Sequence, residues 1–398
     1  MAGRGTIQTQ CNKLNRERRV VTRSHVNLSN FWKSARGSFV IEGGSEETRT
    51  LALVTKLGLE MSCQTGASIV LTSSRYVEDA LISLVTQSGV GFLQVCSPRY
   101  PRYDYFYGWD DAEIAGYLVS VAQERNLADQ ALVQLIAAFV SVLKLCYRPS
   151  LGSMRALADY DFSQIADLGE ARGAKQYHVN TLRTAAPASA SALRFLLDWL
   201  HQALPSATTD EETRENFSTA NLMSNETYIV NISSAEPSAA NAYFAHEIDR
   251  AVRSGMVARV ILADIPLTAA GPLVNALVGA QMRNCEVGFS LVNASRMLQI
   301  AQSDLGALTF GARALLLDSA ALTAGDLSVA LQPLGTYLYH YPVRSTPGFV
   351  LMDPLGSKDE WSIATQERLR VRPEDTAGYA GVFYGDDGLD VTLAREYR

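Results

Sequence analysis

Residues 38–96 alternate between short apolar runs and amphipathic segments, and this alternation constrains the fold more than any other feature. The apolar runs at 38–42, 67–72 and 91–96 have the length of buried strands. Between them, residues 50–61 and 76–86 repeat apolar side chains at helical spacing. Strands that alternate with helices over short turns predict a mostly parallel sheet covered by helices. We therefore expect an α/β fold.

The alternation stops at about residue 110, and the pattern is then helical as far as residue 204. The strand and helix pattern resumes at 227–232 and continues to residue 340. This arrangement predicts a helical domain inserted into one α/β core. The expected segments are a basic N-terminal arm (1–36), a first half of the core (37–109), an all-α insertion domain (110–220), a second half of the core (221–340) and a C-terminal tail (341–398).

Composition excludes several classes of protein. Apolar residues make up 47% of the chain and charged residues 19%, which is typical of a globular protein. Eight of the first 36 residues are basic and one is acidic, although the whole chain has a net charge of −6. Such an arm contacts nucleic acid or an acidic neighbouring subunit, or is simply solvated. No apolar run is long enough for a membrane helix, and the five cysteines lack metal-binding spacing, so we expect a cytoplasmic protein without a direct membrane span.

The turn after the first predicted strand resembles a phosphate-binding loop. Such a loop reads G-x-x-x-x-G-K-[ST], in which backbone N–H groups surround phosphates, the lysine contacts their charge and the hydroxyl binds Mg²⁺. Residues 43–50 read Gly-Gly-Ser-Glu-Glu-Thr-Arg-Thr, so that Thr48 replaces the second glycine and Arg49 replaces the lysine. The candidate contacts to ATP are Gly43, Gly44, Ser45, Thr48, Arg49 and Thr50, with Thr50 also a candidate Mg²⁺ ligand.

The replacements weaken the predicted loop. The planar guanidinium of Arg49 is bulkier than an ammonium group, and Thr48 adds a β-branched side chain where the backbone must curl. Glu46 and Glu47 add two negative charges. At about 5 Å each would repel a phosphate charge by roughly 1–3 kcal/mol. A plain strand–turn–helix connection is the alternative interpretation of this segment.

A second acidic position follows the apolar run at 260–263. Asp264 at the end of such a strand matches the residue that holds Mg²⁺ in nucleotide hydrolases, but Ile265 replaces the glutamate that activates water. Asn293 follows a later predicted strand and is a candidate γ-phosphate sensor, while Arg283 is a candidate contact to a neighbouring subunit's phosphate. The alternatives are an acidic turn, a strand-end cap and an exposed surface arginine, respectively.

Other chemistry has little support in the sequence. There is no G-x-S-x-G elbow and no G-x-G-x-x-G dinucleotide motif. The segment 99–107 combines four tyrosines with two arginines, which favours either stacking on nucleic-acid bases or packing on the sheet. The segment 246–249, His-Glu-Ile-Asp, is interpreted as the solvent-facing side of a helix rather than a metal site. An unrelated α/β enzyme remains an alternative.

The order of these features resembles the P-loop motors of the HerA/FtsK superfamily, and most closely the conjugative coupling proteins of the TraG/TraD type. Four segments carry the resemblance: the loop at 39–50, the strand at 68–74, the helical insert with 147–157, and the strand at 262–265 that precedes a sensor position. Members of the family carry an intact loop lysine, second glycine and catalytic glutamate, and usually N-terminal membrane helices. None of these is present in this sequence.

The resemblance implies a RecA/HerA-like core, and in relatives a hexameric ring with DNA in the pore and ATP between subunits. For this chain it implies a degenerate ATPase-like protein of conjugation or type IV secretion, which binds or scaffolds without hydrolysing ATP. The implied partners are DNA, relaxosome or secretion proteins, and an active motor in a homo- or hetero-hexamer recruited to the inner face of the membrane. A divergent, active DNA-dependent ATPase of the same superfamily is the alternative.

Overall fold

A computed structural model shows how the chain folds. It describes residues 4–15, 20–35, 37–62, 66–88, 92–97, 99–100, 103, 105–147, 149–204, 219, 222–223, 226–233, 235–265, 271–294, 314–318, 322–345, 360–385 and 391–398. Parts of the sequence-based predictions therefore lie outside the described residues, among them Arg16, Arg18, Arg19, Arg36, Arg102 and residues 205–218, 295–313 and 346–359.

The described residues alternate between helices and strands through much of the chain. The helices are α1 (Arg4–Asn15), α2 (Leu28–Ser34), α3 (Glu46–Ser62), α4 (Arg75–Ser88), α5 (Asp111–Glu124), α6 (Gln130–Cys146), α7 (Leu151–Ala158), α8 (Phe162–Ala171), α9 (Gln176–Arg183), α10 (Pro187–Ala203), α11 (Pro237–Arg253), α12 (Gly271–Met282) and α13 (Ala324–Ala330). The strands are β1 (Val20–Val26), β2 (Phe39–Gly43), β3 (Ala67–Thr72), β4 (Phe92–Cys96), β5 (Glu226–Asn231), β6 (Val257–Ala263), β7 (Glu286–Leu291), β8 (Ala314–Asp318), β9 (Thr336–Ser345), β10 (Glu360–Leu369), β11 (Gly381–Tyr384) and β12 (Val391–Tyr397).

The chain divides into two compact units. The first comprises Met1–Lys56, Val292–Arg296 and Leu305–Arg398, and the second comprises Leu57–Leu291 and Met297–Asp304. Helix α3 begins in the first unit and ends in the second.

The second unit contains a parallel sheet and a set of helices. Its strands lie in the order β7-β6-β3-β5-β4, and every neighbouring pair is parallel. Strand β3 is buried at every position, and β6 at every position but one. Such continuous apolar strands are typical of a parallel sheet covered on both faces. Helices α5 to α10 follow β4 in the chain, and α6 buries much of its surface, including Leu135 and Phe139, because it is apolar nearly all round.

The first unit contains a mixed sheet in the order β1-β12-β11-β8-β2. The pairs β1–β12 and β8–β2 are parallel, whereas β12–β11 and β11–β8 are antiparallel. Strands β9 and β10 form a separate antiparallel ribbon. The side chain of Asn15, in α1, both donates to and accepts from the backbone of His340 at 2.9 Å, which ties α1 to this ribbon.

The chain termini differ from the sequence-based expectation. Residues 341–398, expected to form a tail, contain β10, β11 and β12, and the last two belong to the mixed sheet. The basic arm contains α1, β1 and α2, with β1 paired to β12. Strand β1 is exposed at its five central positions, and β12 is buried only in its first half. Neither strand therefore forms the continuous apolar run that identified the strands of the parallel sheet. The boundaries of the predicted domains otherwise stay a prediction.

In the described part of the chain, no single helix has both the length and the apolar character needed to span a membrane. One sharply bent pair, α6 with α7, meets those criteria only when its two helices are taken together.

Candidate functional site

The candidate loop joins β2 to α3 through two glycines in the left-handed region, with φ of +84° at Gly43 and +66° at Gly44. Few residues other than glycine adopt this conformation without strain. The surroundings also exclude a side chain, because a Cβ on Gly44 would lie 2.5 Å from Oδ2 of Asp318 and 2.6 Å from Oγ1 of Thr48. Both glycines are therefore required by the turn and by the close approach of Asp318, at the end of β8.

Arg49, which replaces the expected lysine, bonds back onto the loop. Its side chain is buried, with 4% of the residue exposed. Nη1 donates to the carbonyl oxygen of Gly43 at 3.2 Å and to that of Gly44 at 2.8 Å. The guanidinium group therefore engages the two glycines of the loop itself, and its charge is directed at backbone carbonyl groups.

Thr48, which replaces the second glycine, also bonds within the loop. Its N–H donates to Oγ of Ser45 at 3.2 Å, and its hydroxyl donates to the carbonyl oxygen of Ser45 at 2.9 Å. Ser45 thus acts as the cap of α3, whose first turn carries Glu46 and Glu47. Acidic residues in a first turn interact favourably with the helix dipole, which reduces the attraction of this helix end for an external anion.

Two residues that the sequence did not single out complete the surroundings of the loop. Asp318 is buried at the end of β8, and its Oδ2 accepts a hydrogen bond from the Tyr397 hydroxyl at 2.9 Å. Burial, together with the charge of Asp318, raises the pKa of Tyr397. The signal for Asp318 was an apolar run that ends in an acid, the same pattern that drew attention to Asp264.

The contacts of the loop can be compared with those that a nucleoside triphosphate with Mg²⁺ would need. One observation agrees: Thr50 is 2% exposed, and its Oγ1 has no hydrogen-bond partner among the described residues, as a Mg²⁺-binding hydroxyl would require. The other observations disagree, because Arg49 bonds to loop carbonyl groups and the carboxylate of Asp318 lies against Gly44. Glu46 and Glu47 add further negative charge. The loop as folded does not fit a polyanion.

Asp264 lies in the second unit, directly after β6. Its φ of +51° is unusual for a residue other than glycine. The backbone is held on both sides, because its N–H donates to the carbonyl oxygen of Ser290 at 2.8 Å and its own carbonyl oxygen accepts from the Ser73 hydroxyl. Ile265 follows and is 4% exposed. The carboxyl ends of parallel strands are where α/β sheets bind ligands, but Ile265 has no group that transfers a proton.

Asn293 and Arg283 have different surroundings. Asn293, in the first unit, is half-buried, and its Oδ1 has no hydrogen-bond partner among the described residues. The preceding Val292 accepts a 3.1 Å hydrogen bond from the N–H of Gly43, so this segment lies beside the loop. Arg283, in the second unit, is about half exposed and its Nη1 lies 3.2 Å from Oδ1 of Asp249 in α11. This ion pair directs Arg283 to a neighbouring helix of its own unit.

Two tyrosines of the tyrosine-rich segment pack inside the second unit. Tyr103 and Tyr105 are fully buried, so stacking on nucleic-acid bases is wrong for both. Glu247, expected on the solvent-facing side of its helix, is 1% exposed. It accepts hydrogen bonds from the Tyr103 hydroxyl at 2.9 Å and from the indole N–H of Trp109. The carboxylate therefore anchors this segment to α11, which no local sequence pattern could have indicated.

Comparison with known proteins supports the fold. No family model matches the sequence, and no curated protein matches it. Among solved structures, the chain is similar to the bacterial conjugative coupling protein TrwBdeltaN70, with 11% sequence identity, coverage of 96% of this chain and 90% of the other, and a TM-score of 0.53. VirB4 of Thermoanaerobacter pseudethanolicus is similar with 13% sequence identity, coverage of 78% of this chain and 84% of the other, and a TM-score of 0.44.

The similarity to the coupling protein extends over nearly the whole of both chains, which makes it a statement about the architecture and not about a shared local motif. The α/β fold class predicted from the sequence, with its mostly parallel sheet flanked by helices, is confirmed. The chain therefore has a fold like that of the conjugative coupling protein.

Proposed function

We propose that the chain is a degenerate P-loop ATPase-like protein of conjugation or type IV secretion DNA-transfer machinery. In this proposal it is a binding or scaffold subunit that does not hydrolyse ATP. Two arguments support the role: the fold is like that of a conjugative coupling protein, and the loop that would hold phosphates is engaged with its own side chains.

The observation that carries the proposal is the pair of hydrogen bonds from Arg49 to the carbonyl oxygens of Gly43 and Gly44. In a working loop the corresponding cation stabilises the phosphates. A guanidinium group that is buried against loop carbonyl groups must first leave these bonds before it can contact a phosphate. Ile265 points to the same conclusion, because hydrolysis needs a residue that positions or deprotonates water.

The proposed partners follow from the fold and from the charge of the chain. DNA, relaxosome proteins or secretion proteins would bind the helical region or the basic N-terminal segment. A homo- or hetero-hexamer with an active motor would supply ATP turnover from another subunit. Such partners would recruit the protein from the cytoplasm to the inner face of the membrane.

A divergent active ATPase is the second candidate, and the buried hydroxyl of Thr50 favours it. That hydroxyl has no hydrogen-bond partner among the described residues, and Asp264 retains a carboxylate at a strand end. In this case Arg49 would replace the lysine, and a glutamate from elsewhere would activate water.

Phosphate release from Mg-ATP distinguishes the two candidates. The purified chain is incubated with Mg-ATP, with and without single-stranded DNA, and released phosphate is measured with malachite green. The proposal expects no release above the background of the Asp264→Ala variant. Turnover that single-stranded DNA stimulates and that Asp264→Ala abolishes would overturn it in favour of the active ATPase.

A further inference from the structure

Polar groups from three separate elements meet beside Gly44. Oδ2 of Asp318, from β8, and Oγ1 of Thr48, from α3, both approach the position that a Cβ on Gly44 would take, at 2.5 Å and 2.6 Å. The hydroxyl of Tyr397, from β12, donates to Oδ2 of Asp318 at 2.9 Å. The loop, the end of β8 and the end of β12 therefore form one polar cluster, in which Asp318 lies against Gly44 and accepts a hydrogen bond from Tyr397.

The charge within this cluster is a carboxylate, which shares the acceptor chemistry of a phosphate oxygen. Asp318 is buried, and a buried carboxylate persists only where donors compensate for its lost hydration. An additional anion in the same loop would place two negative charges a few ångströms apart, and their repulsion would be strong because little water separates them.

The two departures from the phosphate-binding pattern also form hydrogen bonds within the loop. The Thr48 hydroxyl donates to the carbonyl oxygen of Ser45, and Arg49 donates to the carbonyl groups of both glycines. Both replacement side chains thus bond inward. The hydroxyl of Thr50 is buried and has no hydrogen-bond partner among the described residues.

We propose that Asp318 is the loop's own anion, an autoinhibitory contact that Tyr397 holds against Gly44 and that keeps polyphosphates out. This inference rests on the proposed function, since it supplies the reason why a loop with this backbone does not take a nucleotide. It also assigns the last strand a role: β12 controls access to the loop through the hydroxyl of Tyr397.

The test measures binding of sodium tripolyphosphate by isothermal titration calorimetry, so that no ATP turnover is needed. Asp318→Asn removes the charge and keeps the shape of the side chain. Glu396→Gln is the matched control, because it removes one negative charge from an exposed position next to Tyr397. We expect Asp318→Asn to bind tripolyphosphate at least about tenfold more tightly than the wild type, and Glu396→Gln to bind like the wild type. Equal binding by all three folded proteins would overturn the inference.

A second pair of variants tests the inference if Asp318→Asn does not fold. The variant Thr48→Gly/Arg49→Lys restores the complete loop pattern, and Tyr397→Phe removes only the hydroxyl that holds Asp318. We expect the restored loop to bind tripolyphosphate weakly until Tyr397→Phe is added, which should tighten binding several-fold. Full binding by the restored loop alone, with no effect of Tyr397→Phe, would show that Asp318 excludes nothing.

The two proposals fail in different ways. Hydrolysis of ATP by the wild type, abolished by Asp264→Ala, would overturn the proposed function. It would leave the inference standing if Asp318→Asn still tightened tripolyphosphate binding. An inactive wild type whose binding is unchanged by Asp318→Asn would overturn only the inference.

Discussion

The guanidinium group of Arg49 donates to the carbonyl oxygen of Gly44 at a distance of 2.8 Å, inside the loop where a nucleotide-binding chain would hold a phosphate. The bond joins the residue that replaces the lysine of the phosphate-binding pattern to a glycine at a position that the pattern leaves open. It makes the loop a folded structural element that needs no ligand, and this has a measurable consequence for stability.

Replacement of Arg49 by methionine should destabilise the protein. The change leaves two buried carbonyl groups without their donor, which costs about 1–3 kcal/mol for each unsatisfied group. The free energy of unfolding, measured by urea denaturation, should fall by at least about 2 kcal/mol. Arg75→Met is the control, because the side chain of Arg75 is 74% exposed and its replacement should change stability by less than about 0.5 kcal/mol. Equal effects of the two changes would contradict the structural role of Arg49.

The backbone of Asp264 predicts an unusual order of substitutions. Its φ of +51° favours glycine and asparagine and disfavours β-branched residues. The free energy of unfolding of Asp264→Gly should lie within about 0.5 kcal/mol of the wild-type value. That of Asp264→Val should be about 1–3 kcal/mol lower. The midpoint of urea denaturation gives both values. If valine were tolerated as well as glycine, the left-handed conformation would be wrong.

Glu247 should be among the least replaceable carboxylates of the second unit. Glu247→Ala removes the acceptor for the hydroxyl of Tyr103 and the indole N–H of Trp109, and both donors would stay buried. We expect a loss of at least about 3 kcal/mol in the free energy of unfolding. The exposed Glu124 is the matched control, and Glu124→Ala should cost less than about 0.5 kcal/mol.

Stability should fall steeply in alkaline solution. Burial, and next the charge of Glu247, raise the pKa of Tyr103 and Tyr243 well above the ordinary value of about 10. Above that value the unfolded state releases protons that the folded state keeps, so stability is lost as the pH rises. Above the ordinary tyrosine pKa, each such group lowers the free energy of unfolding by about 1.4 kcal/mol per pH unit. Urea denaturation at pH 8, 10 and 11 measures the slope, which Tyr103→Phe should reduce. Stability that does not change from pH 8 to 11 would contradict this prediction.

The sequence predicted those parts of the molecule that depend on local pattern. The apolar runs that became β3 and β6 are buried on both faces, so their hydrophobicity alone identified a parallel sheet. The turn at Gly43 and Gly44 was also placed correctly. A glycine pair between a predicted strand and a predicted helix is a strong turn signal.

The candidate site depended on contacts that no local pattern contains. Asp318 and Tyr397 lie far from the loop in the sequence, and only the pairing of β8 with β2 brings Asp318 beside Gly43. The departures at Thr48 and Arg49 were evident from the sequence, but their inward hydrogen bonds were not, since a side chain's direction depends on what surrounds it. Whether the predicted site residues act on a nucleotide stays a prediction.

Strand β1, formed by Val20–Val26, pairs in parallel with β12, formed by Val391–Tyr397. On a ribosome, the first of these strands emerges long before the second has been translated. During synthesis, β1 of the first unit therefore has no β12 to pair with. The residues of the second unit, which are nearly contiguous in the chain, are all synthesised earlier. Pairing across so large a sequence separation is intrinsically slow, so the sheet of the first unit should be completed only after β12 has been synthesised.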